Sequence, residues 1–232
     1  MSELLHTLTR ESLAQYFDHT QLAASATEAD IEALCRESLE NRFKMVAINP
    51  VQVPLCSRLL HGSGVHVGAA VGFPLGQNTI EEKVFSAGKS IENGAQEIDY
   101  VINITALKSK DYAYLEREMA ALVAVCREQG AICKVIFENC YLTGDEKCAM
   151  CEIALAVGPD FVKTSTGFGS GGATLDDVRL MKRQVGDKIK VKAAGGIRTL
   201  DSALQMIEAG AERIGSSASV KILGEFCRLR QE

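Results

Sequence analysis

The sequence predicts an α/β fold: eight parallel strands, each followed by a helix, closing into a TIM-type (β/α)8 barrel with residues 1–232 as a single domain. Three observations predict it. Short apolar runs rich in β-formers alternate with longer segments of helical period. Eight such units fill the 232 residues, at about 29 residues each, the even spacing of a small barrel. The first strand is not followed by the glycine fingerprint of a doubly wound dinucleotide-binding sheet.

The predicted strands are Tyr16–His19, Phe43–Ile48, His66–Gly72, Glu97–Ile104, Ile132–Glu138, Phe161–Lys163, Ile189–Ala193 and Arg213–Gly215. Several, such as Val67–Val71, are apolar on both faces, as a strand between a barrel core and an outer helix layer requires. The helices between them announce their ends. Thr27 opens a segment reaching Asn41 with Glu28 and Asp30 in its first turn, and Thr79 with Glu82 offers a capping box before a segment that ends near Gly94. Asp111–Gln129 stops at Gly130, and Thr143–Val157 stops at Gly158-Pro159. Thr174–Val185 and Thr199–Ala209 also end in glycine, and a last helix closes the chain.

Composition excludes several functions. With 47% apolar and 24% charged residues the chain is neither disordered nor low in complexity. No apolar run approaches the length of a membrane span, and MSELLHTLTRES has no signal-peptide pattern, so a cytoplasmic protein is expected. A net charge of −5 without a basic run argues against nucleic acid or an anionic membrane as partner. Eight cysteines in a chain of this size read as free thiols in a reducing compartment. Only Cys148 and Cys151 have CxxC spacing, inside a predicted helix and without a second ligand pair, and the four histidines form no metal-binding pair. No metal or other cofactor is therefore expected.

Barrels concentrate chemistry at the C-terminal ends of their strands, and there the sequence places charge where apolar residues would be normal. Lys163 ends the sixth strand and precedes a loop of small residues. Enclosure there disfavours its ammonium form and leaves an amine nucleophile. Lys192 ends the next strand, close enough for two cations to repel. In the fourth strand, alternation puts Glu97, Asp99, Val101 and Asn103 on one face and Ile98, Tyr100, Ile102 and Ile104 on the other. If the apolar set meets the helices, Asp99 and Asn103 point inward, where Asp99 serves either proton transfer or an ion pair. Lys134, Ile136 and Glu138 share a face of the fifth strand, and Asp18 in the first adds another buried acid. Three lysines and at least two carboxylates in one interior suit coupled proton transfer.

Glycines mark a second function. Gly167 to Gly172 follows the sixth strand, Gly195-Gly196 the seventh with Arg198 nearby, and Gly215-Ser216-Ser217 the eighth at the start of the last helix. Exposed backbone N–H groups in such loops bind phosphate. Lysine, aspartate and phosphate site together point to Schiff-base chemistry on a phosphorylated carbonyl compound.

These residues sit in motifs that resemble one family. FDHTQL, VGFPLG, EIDYVINI, KVIFENCYLT, DFVKTSTGFG, VKAAGGIRT and RIGSSAS run through nearly the whole chain, and together they are similar to the deoxyribose-phosphate aldolases, class I aldolases on a TIM barrel. The resemblance implies reversible cleavage of 2-deoxy-D-ribose 5-phosphate to acetaldehyde and D-glyceraldehyde 3-phosphate in deoxyribonucleotide catabolism. It makes Lys163 the Schiff-base nucleophile and Asp99 the proton donor and acceptor. Lys192 perturbs Lys163 and shares in proton transfer, Lys134 supports a water relay with Asp99, and Asp18 supports Lys192. Phosphate and substrate contacts fall on Thr166, Gly167, Gly195, Gly196, Arg198, Gly215, Ser216 and Ser217. One departure is Ala47, where many members carry a cysteine, so inactivation through a thiol at that position is not expected. Another class I aldolase or transaldolase, and a non-catalytic phosphosugar-binding barrel, are the alternatives. Monomer, homodimer and homotetramer are left open.

Overall fold

The eight apolar runs meet side by side. In the computed structural model, which describes residues 4–230, β1 (Phe17–Gln21), β2 (Met45–Ile48), β3 (His66–Val71), β4 (Glu97–Val101), β5 (Ile132–Ile136), β6 (Phe161–Lys163), β7 (Lys190–Ala194) and β8 (Arg213–Ser216) form a closed parallel barrel in chain order. β8 returns to β1 with Asp18 level with Gly215. The helices are α1 (Leu4–Thr7), α2 (Arg10–Ala14), α3 (Glu28–Asn41), α4 (Val53–Leu59), α5 (Ile80–Glu92), α6 (Ile104–Lys108), α7 (Tyr112–Glu128), α8 (Gly144–Val157), α9 (Leu175–Val185), α10 (Leu200–Glu208) and α11 (Ser219–Arg230).

Alternation divides the strand residues into two environments. Phe17, Val46, Val67, Ile98, Tyr100, Val135, Val162, Val191 and Ile214 join the helices in one continuous apolar core. The other parity lines the lumen and carries Asp18, Glu97, Asp99, Lys134, Lys163, Lys192 and Arg213, all buried. The helices start where threonine predicts. Thr27, Thr79, Thr143 and Thr199 each close a capping box, and Thr174 and Asp111 cap α9 and α7.

The structure corrects the sequence reading at several boundaries. The short helices α1, α2, α4 and α6 were not expected, because a turn or two carries too little periodicity to register. β4 stops at Val101 rather than Ile104: Asn103 leaves the sheet to cap α6, its side chain accepting from the Ala106 N–H, so it does not face the lumen. β5 stops at Ile136 rather than Glu138, because Glu138 turns into the left-handed region at φ 59°. β1, β2, β3 and β7 shift by one or two residues, and β8 extends by one residue to take in Ser216.

The caps give a test remote from the lumen. Thr143→Ala removes the side-chain acceptor for the Glu146 N–H and is expected to cost about 1 kcal/mol, read as a lower urea midpoint at unchanged turnover. An unchanged midpoint would mean that the box does not hold α8.

Candidate active site

The strand register assembles one charged cluster. Asp99 on β4 lies level with Lys134 on β5, and Lys163 on β6 with Lys192 on β7. Long lysine stems carry all three ammonium groups to the Asp99 carboxylate. Lys134 Nζ meets Oδ1 at 2.7 Å, while Lys163 and Lys192 meet Oδ2 at 2.7 and 2.6 Å. Below them Lys134 also contacts Glu97 at 2.5 Å, and Arg213 joins Glu97 at 3.0 Å to Asp18 at 2.5 Å. Lys192 closes the ring by pairing with Asp18. His66, at the far mouth, contacts Glu97 at 2.7 Å.

Four buried cations (Lys134, Lys163, Lys192, Arg213) thus face three buried carboxylates (Asp18, Glu97, Asp99). The ion-paired cluster carries one more cation than carboxylates if every group is ionised, with Glu138 a further buried acid near Lys163 that bonds to Thr166, and buried charge that is shared so thinly is costly. The strain falls on Lys163. Burial lowers its pKa to about 8; Asp99 opposes the shift, and Lys192 and Lys134 reinforce it. Burial alone would raise Asp99, but Lys134, Lys163 and Lys192 outweigh it and hold the carboxyl well below its usual range. Lys134 moves the other way. Burial opposes its charged form, yet Asp99, Glu97 and Asp18 raise its pKa. One lysine is therefore poised to be neutral beside a carboxylate that stays ionised.

Lys163 and Lys192 open into a cleft of about 300 Å³ at the C-terminal end of the barrel. Its walls include Ala47, Thr166, Gly167, Ala194, Gly195, Gly196, Arg198, Gly215, Ser216 and Ser217, so the glycine loops do converge on the lysines. Gly195, at φ 89°, lets this loop pass the Gly172 backbone, whose Cα would lie 2.9 Å from any Cβ there. At Gly215 a Cβ would press on Ala194 at 2.9 Å and on the Lys192 stem at 3.3 Å. Arg198 is exposed at the cleft wall.

Two expected contact residues are already engaged. Ser216 Oγ donates to Ile197 O at 2.7 Å and accepts from the Ala218 N–H. The Thr166 hydroxyl donates to Glu138 and accepts from the Phe168 N–H. Both line the cleft while their hydroxyls hold its loops. Burial pushes the Glu138 carboxyl up, against the pull of Thr166 and Lys163.

Sequence reasoning missed Arg213, which completes the ion-pair ring. Its signal was parity, since Arg213 and Gly215 share the lumen face of β8. It also missed Phe73, whose ring centroid lies 5.2 Å from Lys163 Nζ. That contact joins the turn after β3 to β6, and no spacing announces it. Among the described residues no group of three or more metal-ligating side chains occurs, and no helix is long and apolar enough to cross a membrane.

The surplus charge predicts a stability change of defined sign. The unfolded chain protonates this lysine at about 10.4, the folded chain at about 8. The charged form therefore costs the wild type stability at every pH below 8, and the cost disappears between pH 8 and about 10.4. Lys163→Met is expected to be about 1–3 kcal/mol more stable than wild type below pH 8, with the gap closing above it. A less stable variant at pH 6 would contradict a charge surplus at this site.

Comparison with known proteins gives the family. Residues 12–224 match the family described as DeoC/LacD family aldolase. A Lactobacillus acidophilus protein named deoxyribose-phosphate aldolase is 57% identical over 97% of this chain and 95% of its own length. One of the same name from Bacteroides thetaiotaomicron is 51% identical over 100% of this chain and 97% of its own. The deoxyribose phosphate aldolase of Aeropyrum pernix, described as a unique tetrameric structure, superposes with a TM-score of 0.90 at 33% identity, covering 97% of this chain and 95% of that one. By the family match and by these identities over nearly its full length, the chain belongs to the DeoC/LacD family of aldolases.

Proposed function

We propose that this aldolase reversibly cleaves 2-deoxy-D-ribose 5-phosphate to acetaldehyde and D-glyceraldehyde 3-phosphate through a Schiff base on Lys163. The observation that carries the reading is the Lys163 amine, lowered to about pH 8, between Asp99 and a glycine-walled cleft. Relatives named for this activity at 57% and 51% identity support the substrate.

The phosphate is bound by backbone N–H groups of the loops at Gly167, Gly195, Gly196 and Ser217, with Arg198 supplying charge at the wall. Local dipoles and one guanidinium thereby bind an anion to a protein of net charge −5. Anchoring the phosphate here directs the sugar's C1 aldehyde toward Lys163. The neutral amine attacks C1, and Asp99 with Lys192 moves the protons that turn the carbinolamine into an iminium and water. Asp99, through a water held with Lys134, takes the C3 hydroxyl proton. The C2–C3 bond then breaks, its electron pair enters the iminium as an enamine, and D-glyceraldehyde 3-phosphate leaves. Protonation at C2 and hydrolysis release acetaldehyde and regenerate the amine. Asp18 and Arg213 take no part in bond making; Asp18 pairs with Lys192 and is itself held by Arg213.

The reading extends to deoxyribonucleotide catabolism in the cytoplasm, with which eight free thiols are compatible.

Borohydride reduction with acetaldehyde is expected to fix an ethyl group on Lys163, located by peptide mass spectrometry. Labelling elsewhere, or none, overturns the Schiff-base assignment. Lys163→Ala is expected to abolish turnover, and Asp99→Asn to lower kcat by about 10²- to 10⁴-fold. Turnover with dihydroxyacetone phosphate as donor, and none with acetaldehyde, would assign a different aldol reaction.

A further inference from the structure

Outside the lumen the largest investment of buried charge is a pair that no step above uses. Lys83 on α5 and Glu118 on α7 are both fully buried, with Nζ 2.6 Å from Oε1. The remaining Lys83 N–H groups donate to Gly76 O at 2.7 Å and Val101 O at 2.8 Å. The second Glu118 oxygen accepts from the Asn103 N–H at 3.0 Å. All three ammonium protons are therefore committed. The backbone groups engaged belong to only two places: the turn after β3 and the end of β4, both at the catalytic mouth.

That turn is built around the pair. The Gly76 N–H closes it onto Gly72 O at 2.8 Å. Gly72 has φ 69°, and a Cβ there would lie 3.2 Å from Lys83 Cε. Gly76 has φ 68°, and a Cβ there would fall 1.9 Å from Ile102 O. Between the two glycines stands Phe73, the ring that faces the Lys163 amine at 5.2 Å. Val101 lies two residues beyond Asp99 on the same strand.

We infer that Lys83 and Glu118 are positioning residues for the reaction: their ion pair holds the Phe73 turn over the Lys163 amine and fixes the end of the strand that carries Asp99. Stability alone is a poor reason for such a pair. Burial pulls the Lys83 pKa down and pushes that of Glu118 up even with each partner in place, and apolar residues of similar volume commonly serve a core as well. What apolar side chains would not supply is three directed bonds to the backbone of the turn and of the strand end. The groups facing Lys163 are Asp99 from β4, Lys134 from β5, Glu138 just beyond it, Lys192 from β7 and the Phe73 ring. Of these Asp99, Lys134 and Lys192 are fixed by sheet pairing and Glu138 by its bonds to Thr166, so the placement of Phe73 depends most on the pair.

The inference rests on Lys163 as the Schiff-base residue, and the test separates the two. The rate of borohydride trapping of acetaldehyde on Lys163 is measured against pH, with kcat and KM for the phosphorylated sugar, in wild type, Lys83→Met, Glu118→Gln, Lys83→Met/Glu118→Leu and Phe73→Ala. Absence of trapping on wild-type Lys163 would overturn the Schiff-base reading itself. With wild-type trapping in hand, the folded variants are expected to shift the midpoint of the trapping profile alkaline by about one pH unit as water reaches the amine. Their kcat is expected to fall about tenfold with KM changed less than about threefold, because the phosphate loops lie on other strands. A purely structural pair would lower the melting temperature and leave the midpoint in place, which overturns the inference. Phe73→Ala removes no buried charge and decides the case if the charge variants fail to fold: its midpoint must move alkaline, and an unmoved midpoint refutes the account.

Discussion

The lumen holds four buried cations and three buried carboxylates, and that imbalance governs the rest of the site. Each carboxylate is shared. Asp99 takes three lysines, Asp18 takes Lys192 and Arg213, and Glu97 takes Lys134 and Arg213. Sharing keeps every charge within reach of a partner, while Glu138, a further buried acid near Lys163, bonds to Thr166 instead. Lys163, ion-paired to Asp99 and open to the cleft, is the member of the cluster whose pKa burial lowers, to about 8.

The barrel makes room for this cluster by giving up side-chain volume. Ala47, Ala70, Ala194, Gly68 and Gly215 line the lumen where large aliphatics would otherwise fill it. At Gly68 a Cβ would collide with Met45, whose sulfur lies 3.5 Å from Lys134 Nζ. The apolar work of folding is moved outward, to the layer between strands and helices. Gly215, near the end of the chain, clears the stem of Lys192, 3.3 Å from where a Cβ would lie.

Much of this was legible in the sequence because it depends on period. Lys163 and Lys192 are legible as charges at strand ends before loops of small residues, Asp99 and Lys134 as charges on one face of an alternating strand, and the structure brings all four together. The threonine caps were legible because their chemistry is local. What was not legible depends on contacts between distant turns. Asn103 has the parity of a lumen residue, but its side chain is worth more as a cap for α6. Glu138 shares parity with Lys134, yet the chain turns left-handed there and sends its carboxyl to Thr166. Phe73 and Lys83 act across loops and helix layers, where no spacing in one segment shows the partner.

The central claim, that burial reinforced by the neighbouring Lys192 and Lys134 brings deprotonation of Lys163 down to about pH 8, has a direct measurement. Selective ε-carbon labelling of lysine and NMR titration of the unliganded protein, with Lys163→Met to assign the resonance, reads this amine alone. The account predicts a midpoint near pH 8, well below the ordinary lysine value of about 10.4. A midpoint at or above that ordinary value would contradict it.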